Sequence, residues 1–488
     1  MNFKFTKELS KEEKVYFSAI FVIVLLFIIS EYLLIHKGFY AVSADESGHT
    51  LDAYFWYIGQ RKFFSIWLPF QKIIYSAAFF IHKDLFFTPR VISIIFGLFT
   101  LLALIDFTFQ IFRNQLIALI TGFLGVLFLP ISVFSVLPLE EIYFFFFTIA
   151  SLSFLFRWIN TNKNIFLWFS VISSCINTTT RYESWLFTFI IFSIIVFRII
   201  KENKSKREKI LIILAIACCL SAFPMAWIYL SYINTDKFTG FINSVVQRYG
   251  SPPLMLRIQN NVLFNFFSVN IKSLNILGVI FLFYLFKKKI IVKYFTYLFG
   301  ATLIIFSIAT FLMNAMPTHN FWRLAMIWSL LLLPFTSYLL YFFIEKGTNK
   351  KIYYLGFVTL FLILISLFSK QTILHSNYSY ITKDDLAAGQ LLEELLKNND
   401  DKVYISSYNS WDRTSVMVTS QFPERFVKNL NGYYNGIDLT INVSKRFVDY
   451  LKTMNIYYLV LRPYYKLEGK NLLAVKKFKM WNIYKVPN

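Results

Sequence analysis

The chain has 488 residues, of which 57% are hydrophobic and 20% aromatic, and its mean hydropathy is +0.55. That excludes a soluble globular domain and indicates a polytopic membrane protein. A net charge of +22 does not imply a nucleic-acid partner, because Lys and Arg collect in the cytoplasmic loops of membrane proteins, and Cys175, Cys218 and Cys219 lie in apolar stretches without metal-ligand spacing, so neither a disulfide framework nor a zinc knuckle is indicated.

Lys4, Lys7, Lys11 and Lys14 precede a first apolar run, Tyr16 to Ile35, long enough to cross a bilayer at ~1.5 Å per residue. It lacks a small-residue cleavage site and reads as a retained anchor with a cytoplasmic N-terminus. Ala44-Asp45-Glu46-Ser47-Gly48-His49 follows and opens a helix that runs through Arg61. Carboxylates at the edge of a hydrocarbon slab are costly to desolvate, so this cluster is a functional-site candidate. Leu51, Tyr54, Phe55 and Ile58 recur at helical spacing, with Asp52 and Gln60 on other faces, which predicts an amphipathic helix in the interface. Trp67 to Ile81, with Pro69 and Gln71, predicts a second juxtamembrane segment.

Spans are then predicted over Thr88 to Phe112, Gln115 to Val136, Pro138 to Trp158, Ile165 to Thr180, Trp185 to Ile200, Ile210 to Tyr232, Val262 to Phe286, Tyr294 to Met313, Leu324 to Ile344 and Ile352 to Phe368. With the first run they make about eleven. Basic loops (Arg157 to Lys163, Lys201 to Lys209, Lys287 to Lys289, Lys346 to Lys351) fall on one side at nearly every turn, which places them in the cytoplasm. The other face then collects Asp45, Glu46 and His49, Glu140 and Glu141, Arg181 and Glu183, Asp236, Arg248 and Arg257, and His319 and Arg323.

From Lys370 the composition changes, so we divide the chain into a membrane domain, 1–369, and an extracytoplasmic α/β domain, 370–488. Thr382-Lys383-Asp384-Asp385 predicts a capped helix with apolar stripe Leu386, Leu392, Leu395, Leu396. Lys402 to Ser406 and Ile456 to Leu461 predict strands, and Ser444 to Met454 a helix.

Acids and cations gathered at membrane level suit one chemistry well. A hydroxyl acceptor needs a carboxylate base, and a departing phosphate needs Arg, Lys or His to stabilise its charge. Sugar transfer from a lipid-linked phosphate needs both. A flippase or transporter of lipid-linked glycans is the alternative, but paired halves and polar or broken mid-membrane spans would be expected of it. No halves repeat here, and the charges sit at span ends.

The arrangement resembles the GT-C membrane glycosyltransferases, and within them the branch of protein O-mannosyltransferases and lipid A aminoarabinose transferases. The likeness rests on Asp45-Glu46 after the first span, on Pro89-Arg90-Val91-Ile92-Ser93 with Phe96-Gly97, and on Pro138-Leu139-Glu140-Glu141. Thr180-Arg181-Tyr182-Glu183 and His319-Asn320-Phe321-Trp322-Arg323 resemble later outer-loop motifs. It covers most of residues 1 to 370, through short motifs. Leu68-Pro69-Phe70 stands where the branch commonly carries a Pro-Pro-Leu-like element. Ser410-Trp411-Asp412-Arg413 is not the Trp-Trp-Asp-Tyr-Gly motif of oligosaccharyltransferases. The resemblance implies a GT-C-like fold with juxtamembrane helices and an inverting transfer from a polyprenyl-phosphate sugar to a hydroxyl (or amine or phosphate) acceptor on a glycan, lipid or protein at the outer membrane face. Asp45 would be the general base, with Glu46 beside it. Glu140 or Glu141 would orient the acceptor or, with Asp45, help hold a divalent cation; no other cofactor is implied. His49, Arg90, Arg181, Arg248, Arg257, His319 and Arg323 would supply the donor phosphate site.

Overall fold

The computed structural model describes residues 10–203, 205–238, 240, 254–259, 261–312, 322–345, 350–406, 413–427, 440–468 and 472–487. Helices α1 (Lys11–His36), α2 (Asp45–Tyr57), α3 (Pro69–Phe79), α4 (Phe87–Phe112), α5 (Gln115–Leu127), α6 (Leu129–Val136), α7 (Glu141–Thr161), α8 (Asn164–Asn177), α9 (Glu183–Ile200) and α10 (Lys206–Thr235) come first. They are followed by α11 (Leu254–Gln259), α12 (Val262–Lys272), α13 (Leu277–Phe286), α14 (Ile290–Leu312), α15 (Trp322–Glu345) and α16 (Lys350–Ser376). Among the described residues, α1, α4, α7, α9, α10, α14, α15 and α16 are long and apolar enough to cross a membrane. This is an integral membrane protein.

Two predicted spans are broken. The α5–α6 pair bends by 51° at Phe128, where the backbone turns extended just before Pro130; a proline suits the first turn of a new helix, where its missing N–H goes unused. The α12–α13 pair bends by 106° through Leu274, whose φ is +58°. Polar side chains close that gap inside the bundle. Asn275 donates to the Ser329 carbonyl at 2.9 Å and to Asn270 Oδ1 at 2.7 Å, and Thr336 donates to Asn275 Oδ1 at 2.6 Å. The remaining expected span is α8, whose 14 residues fall short of the ~20 a bilayer requires.

Helices α7 and α15 are the most buried of the spans, whereas α10 and α16 present most of their surface outward. Helix α7 packs between α4 and α8. Gly97 shows how closely these helices approach: a Cβ there would lie 2.0 Å from Ser135 Oγ of α6, so only glycine fits. Helix α2 starts where expected but ends at Tyr57 instead of running through Arg61, and it is buried continuously from Glu46 to Phe55, with no polar face turned to water.

Helix α16 runs on to Ser376, past Lys370. Beyond it come α17 (Lys383–Leu396), β1 (Lys402–Ser406), α18 (Thr414–Thr419), a 3-10 turn at Pro423–Arg425, β2 (Phe426–Val427), β3 (Thr440–Asn442), α19 (Lys445–Thr453), β4 (Ile456–Leu461), β5 (Lys466–Glu468), β6 (Leu473–Lys477) and β7 (Asn482–Lys485). Thr382 and Asp385 form the expected capping box. The sheet order is β2-β1-β4-β7-β6, parallel from β2 to β4 and antiparallel beyond. Alternate residues serve opposite faces, as strand geometry requires. Val403, Ile405 and Val460 join the core shared with α17 and α18, while Tyr404, Leu459 and Leu461 pack with Phe447, Val448 and Leu451 of α19.

Candidate active site

The chain leaving α1 turns sharply into α2, and Glu46 is what closes the turn. Its carboxylate accepts the backbone N–H groups of Val42 at 2.8 Å and Ser43 at 3.2 Å, and the Ser43 hydroxyl at 2.8 Å. Burial pushes its carboxyl up to about 7, against the opposing pull of Arg323 and the Val42 N–H. Glu46 therefore acts inward on its own loop. Asp45 points the other way. One helical turn further, His49 shares the Asp45 face, and Asp52 follows at the next turn, as residues four and seven apart must.

Across from this face stands Arg323, in the first turn of α15. Its Nη1 donates to Asp45 Oδ2 at 2.9 Å, and its Nε and Nη2 lie 2.8 and 2.7 Å from Glu141 Oε1. The same Glu141 oxygen accepts from Arg181 Nη1 at 2.7 Å, and Arg181 also grips Glu183 at 2.7 Å. Five charged side chains from four parts of the chain thus form one continuous network. The side chain of Asp45 is 39% exposed, whereas those of Arg323 and Glu141 are 5% and 2% exposed. Asp45 is the member that opens to an incoming molecule.

Electrostatics separate the acids. Burial raises the Asp45 carboxyl, but the charge and hydrogen bond of Arg323 outweigh it and hold the group below its ordinary value. Asp45 is therefore ionised at neutral pH. Glu140 differs: burial, with Glu141 and Glu183 adding to it and Arg181 opposing, pushes its carboxyl up to about 8. Its Oε1 is buried without a hydrogen-bond partner among the described residues and lies 3.9 Å from His49 Nδ1. Arg181 is held firmly protonated, because Glu183 and Glu141 overcome its burial.

The remaining residues expected at the phosphate site are placed differently. His49 reaches the cluster, its ring centre 4.4 Å from that of Trp67 and tilted by 48° to it, but burial lowers its imidazole to about 4. It is neutral and brings no positive charge to a phosphate. Arg90 is engaged elsewhere: it donates to the carbonyls of Phe86 at 2.5 Å and Tyr40 at 2.7 Å, with its guanidinium 3.7 Å above the Phe86 ring. It pins the loop before α2 to the head of α4. Arg257 lies on α11. Arg248, His319 and residues Ser410 to Asp412 lie outside the described residues.

A metal between Asp45 and Glu141 does not fit this arrangement. Both carboxylates face the Arg323 guanidinium, which supplies the positive charge a cation would bring. Among the described residues no group of three or more His, Cys, Asp or Glu side chains is placed to hold a metal ion.

One charged unit carries no sequence motif. Lys72 of α3, buried, pairs with Asp52 at 2.6 Å and donates to the Phe63 carbonyl at 3.1 Å, while Arg61 pairs with the other Asp52 oxygen at 2.5 Å. It staples the loop that carries Trp67 beneath α2. The spacing of Asp45, His49 and Asp52 along one helix face was the available signal.

No family model and no curated protein sequence matches the chain. Solved structures do. ArnT from Cupriavidus metallidurans in the apo state superposes with a TM-score of 0.61 at 11% identity, covering 98% of each chain. ArnT from Cupriavidus metallidurans bound to undecaprenyl phosphate gives 0.59 at 10% identity, covering 95% of this chain and 97% of that one. The oligosaccharyltransferase of Archaeoglobus fulgidus in its apo form gives 0.52 at 12% identity, over 91% of this chain and 69% of its own. The chain has the GT-C fold that these proteins share.

Proposed function

We propose that this GT-C-fold chain is an inverting glycosyltransferase that moves a sugar from a polyprenyl-phosphate donor to an acceptor hydroxyl at the extracytoplasmic membrane face. The observation that carries the reading is Arg323 set between the partly exposed Asp45 and the buried Glu141. Structural likeness to ArnT bound to undecaprenyl phosphate supports a lipid-phosphate donor.

In this reading Asp45 accepts the proton of the acceptor hydroxyl as its oxygen attacks the anomeric carbon. The bond from that carbon to the phosphate oxygen breaks on the opposite face, which inverts the centre. A phosphate leaving group departs as an anion and needs no protonation, so one base suffices. Arg323 has two tasks. It holds Asp45 ionised, and each of its Nη atoms carries a second N–H that can take a phosphate oxygen. Glu141 orients both Arg323 and Arg181 toward the leaving group. Glu140, protonated, and neutral His49 offer hydrogen bonds without adding charge. The basic loops are assigned to the cytoplasm and α2 with the C-terminal region to the other side, following the distribution of Lys and Arg.

The test is to incubate the purified protein with a panel of polyprenyl-phosphate sugars and simple acceptor glycans, lipids and peptides. Release of free polyprenyl phosphate together with a product of inverted anomeric configuration is expected. Retained configuration would rule out the single displacement, and movement of intact donor between leaflets without release would favour a flippase.

A further inference from the structure

We propose that Glu424 is a positioning residue: through its hydrogen bond to Tyr54 it holds α2, and with it Asp45, at the level of Arg323. The inference deepens the transferase reading and rests on it for its kinetic consequences. Helix α2 has no side-chain cap at its N-terminus, and the C-terminal region grips it near both ends. Before the helix, Tyr380 N–H donates to the Ala41 carbonyl at 2.7 Å, and Tyr40 N–H donates to Ser379 Oγ at 3.2 Å. Toward the other end, the Tyr54 hydroxyl donates to Glu424 Oε2 at 2.9 Å.

The turn that carries Glu424 is itself anchored. Arg425 donates to the Leu396 carbonyl at 2.7 Å, which ties the turn to α17. Three residues before Glu424, Gln421 sits at φ +63°, a left-handed conformation uncommon for a residue with a side chain. From there its Oε1 accepts the Leu85 N–H at 2.8 Å and its amide reaches Asp84 Oδ1 at 3.4 Å. That Asp84 oxygen accepts the N–H groups of Phe86 and Phe87 at 2.8 and 2.7 Å at the head of α4. Lys83 fills the space between, 5.0 Å from the Tyr54 ring centre and 5.8 Å from that of Phe422. One short turn therefore fixes α2 relative to α4.

Asp45 and Tyr54 are joined by a continuous helix, ~14 Å of rise. A helix of that length tilts as a unit, so a change at Tyr54 is felt at Asp45. Misplacing a reacting group by ~1 Å can cost on the order of 100-fold in rate, whereas Arg323 and Arg181, which take the donor phosphate in this reading, are also held by Glu141 of α7.

The experiment compares Tyr54→Phe, Glu424→Ala, Glu424→Gln and the Tyr54→Phe/Glu424→Ala double variant in the full-length protein. We expect kcat to fall about tenfold or more in the first two, with donor KM within roughly twofold of the parent, as for loss of geometry alone. The double variant should be no worse than either single, and Glu424→Gln, whose amide oxygen still accepts the Tyr54 hydroxyl, should restore turnover. An unchanged kcat in Glu424→Ala, or losses that multiply in the double variant, would overturn the proposal. A second readout does not need turnover. Spin labels at Gln60→Cys and Lys479→Cys, with the native cysteines replaced by Ser, should show a distance distribution that broadens on Glu424→Ala. If it stays unchanged the clamp is wrong; if it broadens while no donor is consumed by the parent, it is the transferase reading that fails.

Discussion

Glu140 and Glu141 are neighbours with opposite environments, and they should behave accordingly. Glu141 accepts from both Arg181 and Arg323, so Glu141→Gln leaves two buried cations without their shared partner. Removing one side of a buried pair costs about 3–5 kcal/mol, a loss visible as a lower thermal midpoint in detergent. Glu140→Gln should be milder and should change the pH response. Its folded carboxyl titrates near 8, above its ordinary value of 4.5, so between these values the folded state holds a proton that the unfolded state has released. Stability therefore declines as pH rises through that window and levels off above it. Glu46 contributes in the same direction, but only up to about 7. Between pH 7 and 8 the parent should lose stability while Glu140→Gln stays flat; an equal decline in both would contradict the Glu140 assignment. Arg323→Lys keeps the charge but gives up the planar fork that reaches Asp45 and Glu141 together. It should weaken polyprenyl-phosphate binding by about 1.5–3 kcal/mol, the worth of a charge-assisted hydrogen bond. Unchanged affinity in a titration of the folded variant would remove Arg323 from the phosphate site.

Among elements, the bend between α12 and α13 makes the clearest stability claim. Asn275 donates to Ser329 and Asn270 and accepts from Thr336. Asn275→Ala orphans a buried carbonyl and should cost about 1–3 kcal/mol, read as a lower unfolding midpoint; no change would mean that the break is held by packing alone. Reading Val262 to Phe286 as one span passes over the polar interruption Asn270-Ile271-Lys272-Ser273-Leu274-Asn275, which marks a break but not the partners Ser329 and Thr336 that hold it. Helix α2 was legible as a helix from its apolar spacing. Its burial was not, because the cover comes from α3 and from α18, which lies more than 350 residues downstream. Strands β1 and β4 and the Thr382 capping box were readable for the opposite reason: alternation and capping are local signals.

For the molecule as a whole, the same distinction separates inventory from arrangement. That Asp45, Glu141, Arg181 and Arg323 share one side followed from counting spans and basic loops. That Arg323 joins Asp45 to Glu141 did not, since the contact spans 278 positions and no periodicity encodes it. Sidedness can be checked directly. With the native cysteines replaced, a membrane-impermeant maleimide applied to intact cells should label the exposed Lys62→Cys beyond α2 and spare Arg207→Cys at the start of α10; labelling in the reverse pattern would invert the assigned orientation. The most direct test of the account is the turnover of Asp45→Asn with a polyprenyl-phosphate sugar that the parent protein consumes. The substitution keeps the shape of the side chain and a hydrogen-bonding oxygen but removes its basicity. Transfer should fall by about 10²–10⁴-fold, the range for general acid–base catalysis, while the donor still binds. Near-parental turnover of Asp45→Asn would contradict the assignment of Asp45 as the base, and with it the reading of the network built around Arg323.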